Sequence, residues 1–285
     1  MRKIGIIGGS GLYDIEGIKN LKQVNVKTPF GKPSDAYLCG ILEGVSVVFL
    51  PRHGRGHRIS PSEINYRANI YGMKKLGVSA ILAVSACGSL KEELKPMDFV
   101  IPDQFIDRTV KRQSTFFSNG LVGHVGFADP VCPKICDILY KSAQALNISV
   151  HRGGTYLNME GPQFSTKAES SLYRSWNLDI IGMTNATEAK LAREAEIAYA
   201  TLAAVTDYDC WHQSHDIVTF EMIIQYLTKN VENAKKILKK AIPQVAKIDS
   251  FGAENALQCA IATRKDKIPA KIKKDLKIII GKYIS

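Results

Sequence analysis

The stretch Leu178–Trp211, LDIIGMTNATEAKLAREAEIAYATLAAVTDYDCW, contains one complete strand–helix–strand unit. It begins with a short apolar run that ends at Gly182, continues with a segment of helical composition, and returns to an almost wholly apolar run before Trp211. Short apolar runs that alternate with helical segments are typical of α/β proteins. We therefore predict an α/β fold with a parallel or mixed central sheet.

The same alternation extends through the rest of the chain. We predict strands in KIGIIGGSG, VSVVFLPRHG and VSAILAVSACGSL, a strand around Phe99–Ile101, and helices over residues 63–77 and 130–146. The spacing of Thr166 and Glu169 predicts a capping box that opens one further helix, and that of Asn185 and Glu188 a second.

The organisation of the chain indicates one domain followed by a short extension. No linker composition and no repeat occurs before about residue 250, so residues 1–250 are predicted to form a single domain. Residues 251–285 form a basic segment that we expect to be helical and to pack on the same or a neighbouring subunit rather than on a membrane. Its apolar residues recur at helical spacing: Ile272, Leu276, Ile279, Ile280 and Tyr283.

Composition limits the classes of protein to consider. Hydrophobic residues make up 45% and charged residues 23%, which indicates a folded core. No apolar run approaches the roughly 20 residues of a membrane helix, and the apolar run at the start is too short for a signal peptide, so we predict a cytoplasmic protein. The net charge of +11 lies mostly at the end, because residues 229–285 hold 14 basic and 5 acidic residues. A nucleic-acid-binding protein is the alternative that this patch leaves open.

The six cysteines do not form a recognisable metal site. Cys132 and Cys136 have C-x-x-x-C spacing, with no second pair and no histidine nearby. This pattern is a poor zinc site and indicates buried or unused thiols, although a disulfide is possible.

Several polar segments follow apolar strands and could hold a phosphate. Residues 8–11, GGSG, lack the third glycine of the dinucleotide fingerprint and the Gly-Lys-Ser/Thr of a Walker motif, so a small free anion or a plain tight turn remains. PRHGRGHR, residues 51–58, crowds three arginines and two histidines, which an anion would stabilise, although a solvated surface loop is the alternative. SACGSL and GMTNAT add hydroxyl groups.

Two aspartates end the apolar run, Asp207 and Asp209. On a strand, residues two apart face the same way, so both carboxylates would point at one ligand. Two close carboxylates in a dry site raise at least one pKa, so one can donate a proton while the other accepts hydrogen bonds. A purine that leaves as a free base needs a proton at N7, and the amine of adenine suits an acceptor carboxylate. The alternative is a pair of turn or cap aspartates.

Together these motifs resemble the 5′-methylthioadenosine phosphorylases, a subfamily of the nucleoside phosphorylase-I superfamily. The matching segments span roughly residues 3–230 in order: IGIIGGSGLYD, PRHGRGHRISPSEINYRANIYGMKKLGV, SACGSL, DFVIPDQFIDRT, EGPQFSTKAES, IIGMTNATEAKLAREAEIAYA and TDYDCW. The resemblance implies a mixed sheet curled into a distorted barrel and flanked by helices. It also implies a trimer or a dimer of trimers, in which a neighbouring C-terminal region helps to close the pocket.

The resemblance implies a role for each matching residue. Asp207 would be the catalytic acid and would read adenine together with Asp209. Inorganic phosphate would be the co-substrate. Met183 would lie along the ribose and Phe164 against the base, while Ser165 and Phe220, with Ile223 and Ile224, would set specificity around the methylthio group. The implied phosphate ligands are Ser10, Arg52, His53, Ser85, Ala86 and Thr184.

Three alternatives stay open at this point. A phosphorylase for 6-oxopurine nucleosides or methylthioinosine would use the same loops. A glycoside hydrolase would use the two acids directly and release free sugar without phosphate. A nucleic-acid-binding protein has only the C-terminal charge in its favour, and no aromatic residues are interleaved there.

Overall fold

A computed structural model describes residues 2–9, 12, 17–212 and 220–284, with the backbone alone at residues 220–225 and 227. Eleven strands form one mixed sheet, and helices flank it. The strands are β1 (Lys3–Gly8), β2 (Lys19–Val24), β3 (Tyr37–Leu42), β4 (Val45–Pro51), β5 (Val78–Ser89), β6 (Phe99–Ile101), β7 (Gln104–Asp107), β8 (Val150–Arg152), β9 (Thr155–Asn158), β10 (Ile180–Gly182) and β11 (Ala198–Asp207). The helices are α1 (Tyr66–Lys75), α2 (Pro133–Gln144), α3 (Lys167–Ser175), α4 (Asn185–Glu194), α5 (Phe220–Val245), α6 (Ala270–Asp275) and α7 (Lys277–Ile284), and a 3₁₀ turn spans Lys265–Lys267.

Strand β5 organises the sheet, because its 12 residues pair with three other strands. Its first half runs parallel to β1, almost its whole length runs parallel to β11, and its end runs antiparallel to β10. The sheet continues from β1 through β4, β3 and β2, from β10 through β9 to β7, and from β11 through β6 to β8. This branching bends the sheet without closing it, which agrees with the predicted distorted barrel of mixed strands.

The sequence explains why the central strands lie inside. Strands β1, β4 and β11 are near-continuous apolar runs, as expected where helices cover both faces of parallel strands. Helix α1 begins at Asn65, whose side-chain oxygen accepts from the Ala68 N–H, and it is followed by Gly77 at φ +81°. The predicted helix over residues 63–77 is therefore confirmed as a shorter one.

The two predicted capping boxes have different outcomes. Thr166 and Glu169 form both halves of a capping box at the start of α3, so that prediction is confirmed. The prediction for Asn185 and Glu188 is wrong, because the N-cap of α4 is Thr184 and Glu188 turns inward to a buried arginine. The spacing was right for a cap, but a buried cation competed for the carboxylate.

Two strand boundaries also differ from the predictions. The strand predicted in VSAILAVSACGSL is confirmed as β5. The hydroxyl residues of SACGSL were expected just past that strand, yet they lie within it, because β5 continues to Ser89. Strand β11 was expected to carry both aspartates, yet it ends at Asp207, and Asp209 lies in a turn at φ +51°. Alternation along a strand therefore cannot explain how the two acids meet.

The C-terminal segment contains two short helices where one was predicted, because the chain breaks near Leu276. Leu276, Ile279 and Ile280 are buried, and the Tyr71 hydroxyl donates to the Asp275 carbonyl at 2.8 Å. Lys282 forms an ion pair of 2.8 Å with the buried Glu196. Among the helices of the described residues, none is both long and apolar enough to cross a membrane.

Candidate functional site

The candidate site follows one strand, β5. The backbone N–H of Arg52 donates to the Gly8 carbonyl, and its guanidinium donates to the Val84 carbonyl of β5 at 3.0 Å. Four residues further along the same strand, Gly88 pairs with Asp207, and a Cβ built on Gly88 would lie 2.9 Å from the carboxylate. Because a strand rises about 3.3 Å per residue, the two points lie about 13 Å apart along β5. After the ligands that the sequence predicts for Arg52 and for Asp207, we call these two points the phosphate end and the base end.

Arg52 at the phosphate end forms an ion pair in the interior. It forms a two-pronged ion pair with Glu188 of α4, and the side chains are only 1% and 2% exposed. Burial lowers the pKa of Arg52, but the Glu188 carboxylate more than offsets this and holds the net pKa above its usual range. The guanidinium is therefore a fixed cation whose charge is matched before any ligand binds.

His53, next along the chain, is neutral. Burial and then the charge of Arg52 lower the pKa of His53 to about 4. Its Nδ1 lies 2.8 Å from the Ile59 carbonyl oxygen, which can only accept, so Nδ1 carries the hydrogen and Nε2 is an acceptor. The His57 ring stacks on it at 4.2 Å. His53 can thus accept a hydrogen bond from a protonated phosphate oxygen.

The remaining cations of the basic loop lie outside this cluster. Arg55 and Arg58 are exposed, and the Arg58 guanidinium donates to the Ser34 carbonyl at 3.1 Å. The expectation that an anion stabilises the whole loop is therefore too broad, because only Arg52 and His53 are buried. Solvent and local hydrogen bonds account for the others.

The other residues predicted to bind phosphate differ in their position relative to Arg52. Ser85 follows Val84 directly. Its buried Oγ makes no hydrogen bond of regular geometry among the described residues, and the buried Tyr156 hydroxyl interacts with it. Buried hydroxyl groups are nearly always paired, so this one has room for a ligand oxygen. Thr184 is buried at the N-terminus of α4, one turn before Glu188, whereas Ala86 is exposed, with its side chain on the other face of β5. Ser10 lies outside the described residues.

At the base end the two aspartates meet through a turn. The backbone N–H of Asp209 donates to Oδ1 of Asp207 at 2.8 Å, and the Thr206 hydroxyl lies 2.6 Å from Oδ2. Burial raises the pKa of Asp207 to about 6, and the charge of Asp209 adds to that effect. Burial also raises the pKa of Asp209. Asp207 can therefore hold a proton close to neutral pH.

The residues predicted to surround the sugar and base lie in the loops after β9 and β10. Met183 follows β10, and its carbonyl accepts from Arg112 and from Asn158. Phe164 is 55% exposed in this single chain, and the Ser165 carbonyl accepts from the Cys210 thiol. Phe220 begins α5, with Ile223 and Ile224 one turn on, but their side chains lie outside the described residues.

Three residues that contact the predicted site residues were not themselves predicted from the sequence. Arg112 donates to Glu160 and to the Met183 carbonyl, Glu188 holds Arg52, and Thr206 contacts Asp207. Arg112 lies in a polar segment without a motif, and Glu188 has the spacing of a cap. Thr206 had a usable signal, because it directly precedes Asp207 within the quoted motif.

Other parts of the described chain offer no competing site. Across the residues described, no three histidine, cysteine or acidic side chains are arranged to hold a metal ion. A cavity of about 700 Å³ lies between β2 and β3, and another of about 550 Å³ lies beside the start of α2. Neither includes Arg52 or Asp207, so neither changes the assignment of the two ends.

Comparisons with known proteins agree along the whole chain. The profile of the Phosphorylase superfamily matches residues 3–243. The S-methyl-5′-thioadenosine phosphorylase of Koribacter versatilis is 57% identical over 281 residues, 99% of this chain and 96% of the relative. The crystal structure of a methylthioadenosine phosphorylase from an antarctic soil metagenomic library has a TM-score of 0.93 at 51% identity, covering 98% of both chains. A variant adenosine/methylthioadenosine phosphorylase of Schistosoma mansoni, solved with adenine, has a TM-score of 0.87 at 39% identity, covering 93% of this chain and 100% of the other.

Proposed function

This chain belongs to the phosphorylase superfamily, and on that premise we propose that it cleaves 5′-methylthioadenosine with phosphate, giving adenine and 5-methylthioribose 1-phosphate. The family and the enzyme class predicted from the sequence are confirmed, because the profile and the named phosphorylases cover nearly the whole chain. Several full-length relatives named for methylthioadenosine, 48–57% identical, support that nucleoside as the substrate.

The observation that carries the mechanism is the arrangement along β5. A paired arginine lies at one point beside a buried serine hydroxyl without a hydrogen bond of regular geometry, and two aspartates with raised pKa values lie about 13 Å further on. A phosphate, a pentose and a purine placed in line need donors at one end and a proton source at the other. The spacing therefore supports a substrate that is held at both ends.

At the phosphate end, the proposed ligands are fixed before the substrate arrives. Arg52 and the hydroxyls of Ser85 and Thr184 donate hydrogen bonds, and neutral His53 accepts one. Ser10 and the backbone at Ala86 complete the proposed set. Donors that need no rearrangement stabilise the phosphate beside the positive charge that develops at C1′ as the C1′–N9 bond lengthens.

At the base end, the proposed acid is Asp207. Its protonated carboxyl donates to N7 of the departing adenine, which neutralises the charge that would otherwise build on the ring. Asp209 accepts from the exocyclic amine, while Met183 contacts the ribose, and Phe164 with Ser165 and Phe220 border the base and the 5′ substituent. Phosphate then forms the new bond at C1′ as the bond to N9 breaks. We propose no metal or organic cofactor for this reaction.

The acid pair also bears on which purine is used. A 6-oxopurine presents a carbonyl at C6, and an ionised carboxylate repels that group, whereas it accepts from an amine. Phosphorolysis of 6-oxopurine nucleosides or of methylthioinosine is therefore the second candidate. A nucleic-acid-binding role draws only on the basic C-terminal residues.

We also propose that the enzyme works in the cytoplasm as a homotrimer or a dimer of trimers. In that assembly a neighbouring subunit would cover the exposed Phe164. We further propose that residues 1–250 form one domain and that residues 251–285 pack on it or on a neighbour, a proposal supported by the contact of Tyr71 with Asp275.

One assay tests the proposed function. The protein is incubated with methylthioadenosine or with inosine, each with and without phosphate, and the free base is measured. We expect adenine only when phosphate is present, and inosine to be cleaved far more slowly. Preference for inosine would favour the 6-oxopurine alternative, and base release without phosphate would indicate a hydrolase.

A further inference from the structure

Glu188 contacts Arg52, the arginine that marks the phosphate end, but is not itself a proposed phosphate ligand. Its carboxylate accepts two hydrogen bonds from one edge of the Arg52 guanidinium. Oε1 accepts from Nε, and Oε2 accepts from Nη2 at 3.0 Å. Both side chains are almost wholly buried. A buried ion pair is often no more stabilising than apolar packing of the same volume, so stability alone does not explain this one.

The pairing leaves part of Arg52 available. A guanidinium carries five N–H hydrogens. Glu188 accepts two, and the Val84 carbonyl accepts a third from Nη1. Among the described residues, one hydrogen on each terminal nitrogen therefore has no acceptor. Two such N–H groups in one plane suit two oxygens of a phosphate.

Glu188 is itself held by a chain of hydrogen bonds. The Tyr199 hydroxyl donates to Oε2 of Glu188 at 2.9 Å, and Asn185 Nδ2 donates to that hydroxyl at 3.0 Å. Asn185 directly follows Thr184, whose hydroxyl lies 3.3 Å from Oδ1 of Asn185. The chain therefore connects two proposed phosphate ligands, Arg52 and Thr184, through buried side chains.

We infer that Glu188 is a positioning residue for phosphate, because it fixes the plane of the Arg52 guanidinium and links it to Thr184. This inference rests on the proposed phosphorolysis. Since Glu188 cancels the charge of Arg52 and His53 is neutral, phosphate is held by directed hydrogen bonds rather than by excess positive charge. Without Glu188 the guanidinium keeps its charge but loses its fixed orientation.

The test is Glu188→Gln, with Glu194→Gln as a matched control. Glu194 is a buried glutamate on the same helix that accepts from Thr115 and the Phe116 N–H, away from phosphate. For Glu188→Gln we expect the KM for phosphate to rise at least tenfold and the KM for methylthioadenosine to change less than threefold. Glu188→Asp keeps the charge but shortens the reach by one methylene, so a rise of the same kind is expected.

A second readout does not need turnover. Phosphate alone should raise the Tm of the wild-type protein, since a ligand stabilises the state that binds it. The same phosphate titration should shift the Tm of Glu194→Gln equally and that of Glu188→Gln much less. If Glu188→Gln does not fold, Tyr199→Phe replaces it, and we expect a two- to fivefold rise in the KM for phosphate.

Clear results would overturn the inference. An unchanged KM for phosphate in folded Glu188→Gln would do so, as would equal rises in both KM values or an effect matched by Glu194→Gln. In the replacement variant, an unchanged KM for phosphate would have the same meaning. Failure of the proposed function is distinct, because the wild-type protein would then release no adenine with phosphate.

Discussion

The two ends of the site handle buried charge in opposite ways. At the phosphate end, Arg52 and Glu188 neutralise each other and are shielded from solvent. At the base end, Asp207 and Asp209 lie together, and no described ion pair includes either of them. Burial consequently raises the pKa of Asp207 to about 6, whereas the Arg52 charge is held in place by Glu188.

This difference matches the chemistry that we propose for each end. Phosphate enters and remains as an oxyanion, so its ligands need fixed positions and a constant charge. The purine leaves with a proton that it did not have, so its ligand needs a proton that can move near neutral pH. Pairing an ionisable group fixes its protonation state, and leaving it unpaired in a dry pocket makes it titrate.

The largest expected effect comes from removing the movable proton. In Asp207→Asn the amide can still donate a hydrogen bond, but it cannot transfer a proton to N7. We expect kcat/KM for methylthioadenosine to fall about 10²–10⁴-fold, the usual range for general acid catalysis. Initial rates of adenine release measure it.

The control for this change is Asp98→Asn. Asp98 is a buried acid directly before β6, and its carbonyl accepts from the Val205 N–H, so it lies in the same part of the sheet as Asp207. Its carboxylate pairs with His151 and contacts neither Asp207 nor Asp209 in any described hydrogen bond or ion pair. The kcat/KM of Asp98→Asn for methylthioadenosine should stay within a few-fold of the wild-type value. A rate for Asp207→Asn close to wild type would remove Asp207 from the mechanism.

The second effect separates charge pairing from function at the phosphate end. Arg52→Met leaves Glu188 buried without a partner, so the free energy of unfolding should fall by about 3–5 kcal/mol. The double variant Arg52→Met, Glu188→Met places apolar groups at both positions and should recover most of that loss while remaining inactive. Urea unfolding and adenine release, measured on the same samples, decide the outcome. Recovery of activity in the double variant would contradict the role of Arg52.

The smallest effect is expected from a change that shifts the pKa of Asp207 but leaves its carboxyl group in place. The Thr206 hydroxyl, 2.6 Å from Oδ2 of Asp207, favours the ionised carboxylate. Thr206→Val should therefore raise the pKa of Asp207 further, and the fall in kcat/KM at high pH should move about 0.5–1 pH unit upward. Thr206→Ser keeps the hydroxyl and should show the wild-type profile. A shift toward lower pH would contradict this reading of the contact.

Because the pKa of Asp207 is raised, the free energy of unfolding should fall as the pH rises from about 4 to about 6. The folded pKa of Asp207 is about 6, above its ordinary value of 3.8, so folding favours the protonated form. This contribution to the free energy of unfolding is complete below about pH 4 and is lost as the pH rises to about 6. Asp207→Asn should flatten that part of the profile.

The sequence predicted the burial of Asp207 better than it predicted the pairing of Arg52. Asp207 stands out locally, because an acid that follows a long apolar run must be buried. The partner of Arg52 does not stand out, since Glu188 lies 136 residues away and its spacing also fits a helix cap. Only the contact of Glu188 on α4 with Arg52, the residue directly after β4, shows which role prevails.

The strand boundaries were hard to predict for a related reason. The small residues of SACGSL have little preference for strand or loop, and pairing with β10 and β11 keeps them in the sheet. The end of β11 at Asp207 depends on a turn in which Asp209 has a positive φ, a conformation that aspartate adopts more readily than most residues. The α/β class needed no such detail, because the alternation of elements indicated it.

Strand β5 has one more consequence. Since a single strand contacts both Arg52 and Asp207, the distance between these two side chains is set by a fixed number of peptide units. Inserting one residue between Val84 and Gly88 would add about 3.3 Å and turn every later side chain to the opposite face. New substrate preferences should therefore arise through changes in the loops after β9 and β10, while the length of β5 between Val84 and Gly88 stays constant.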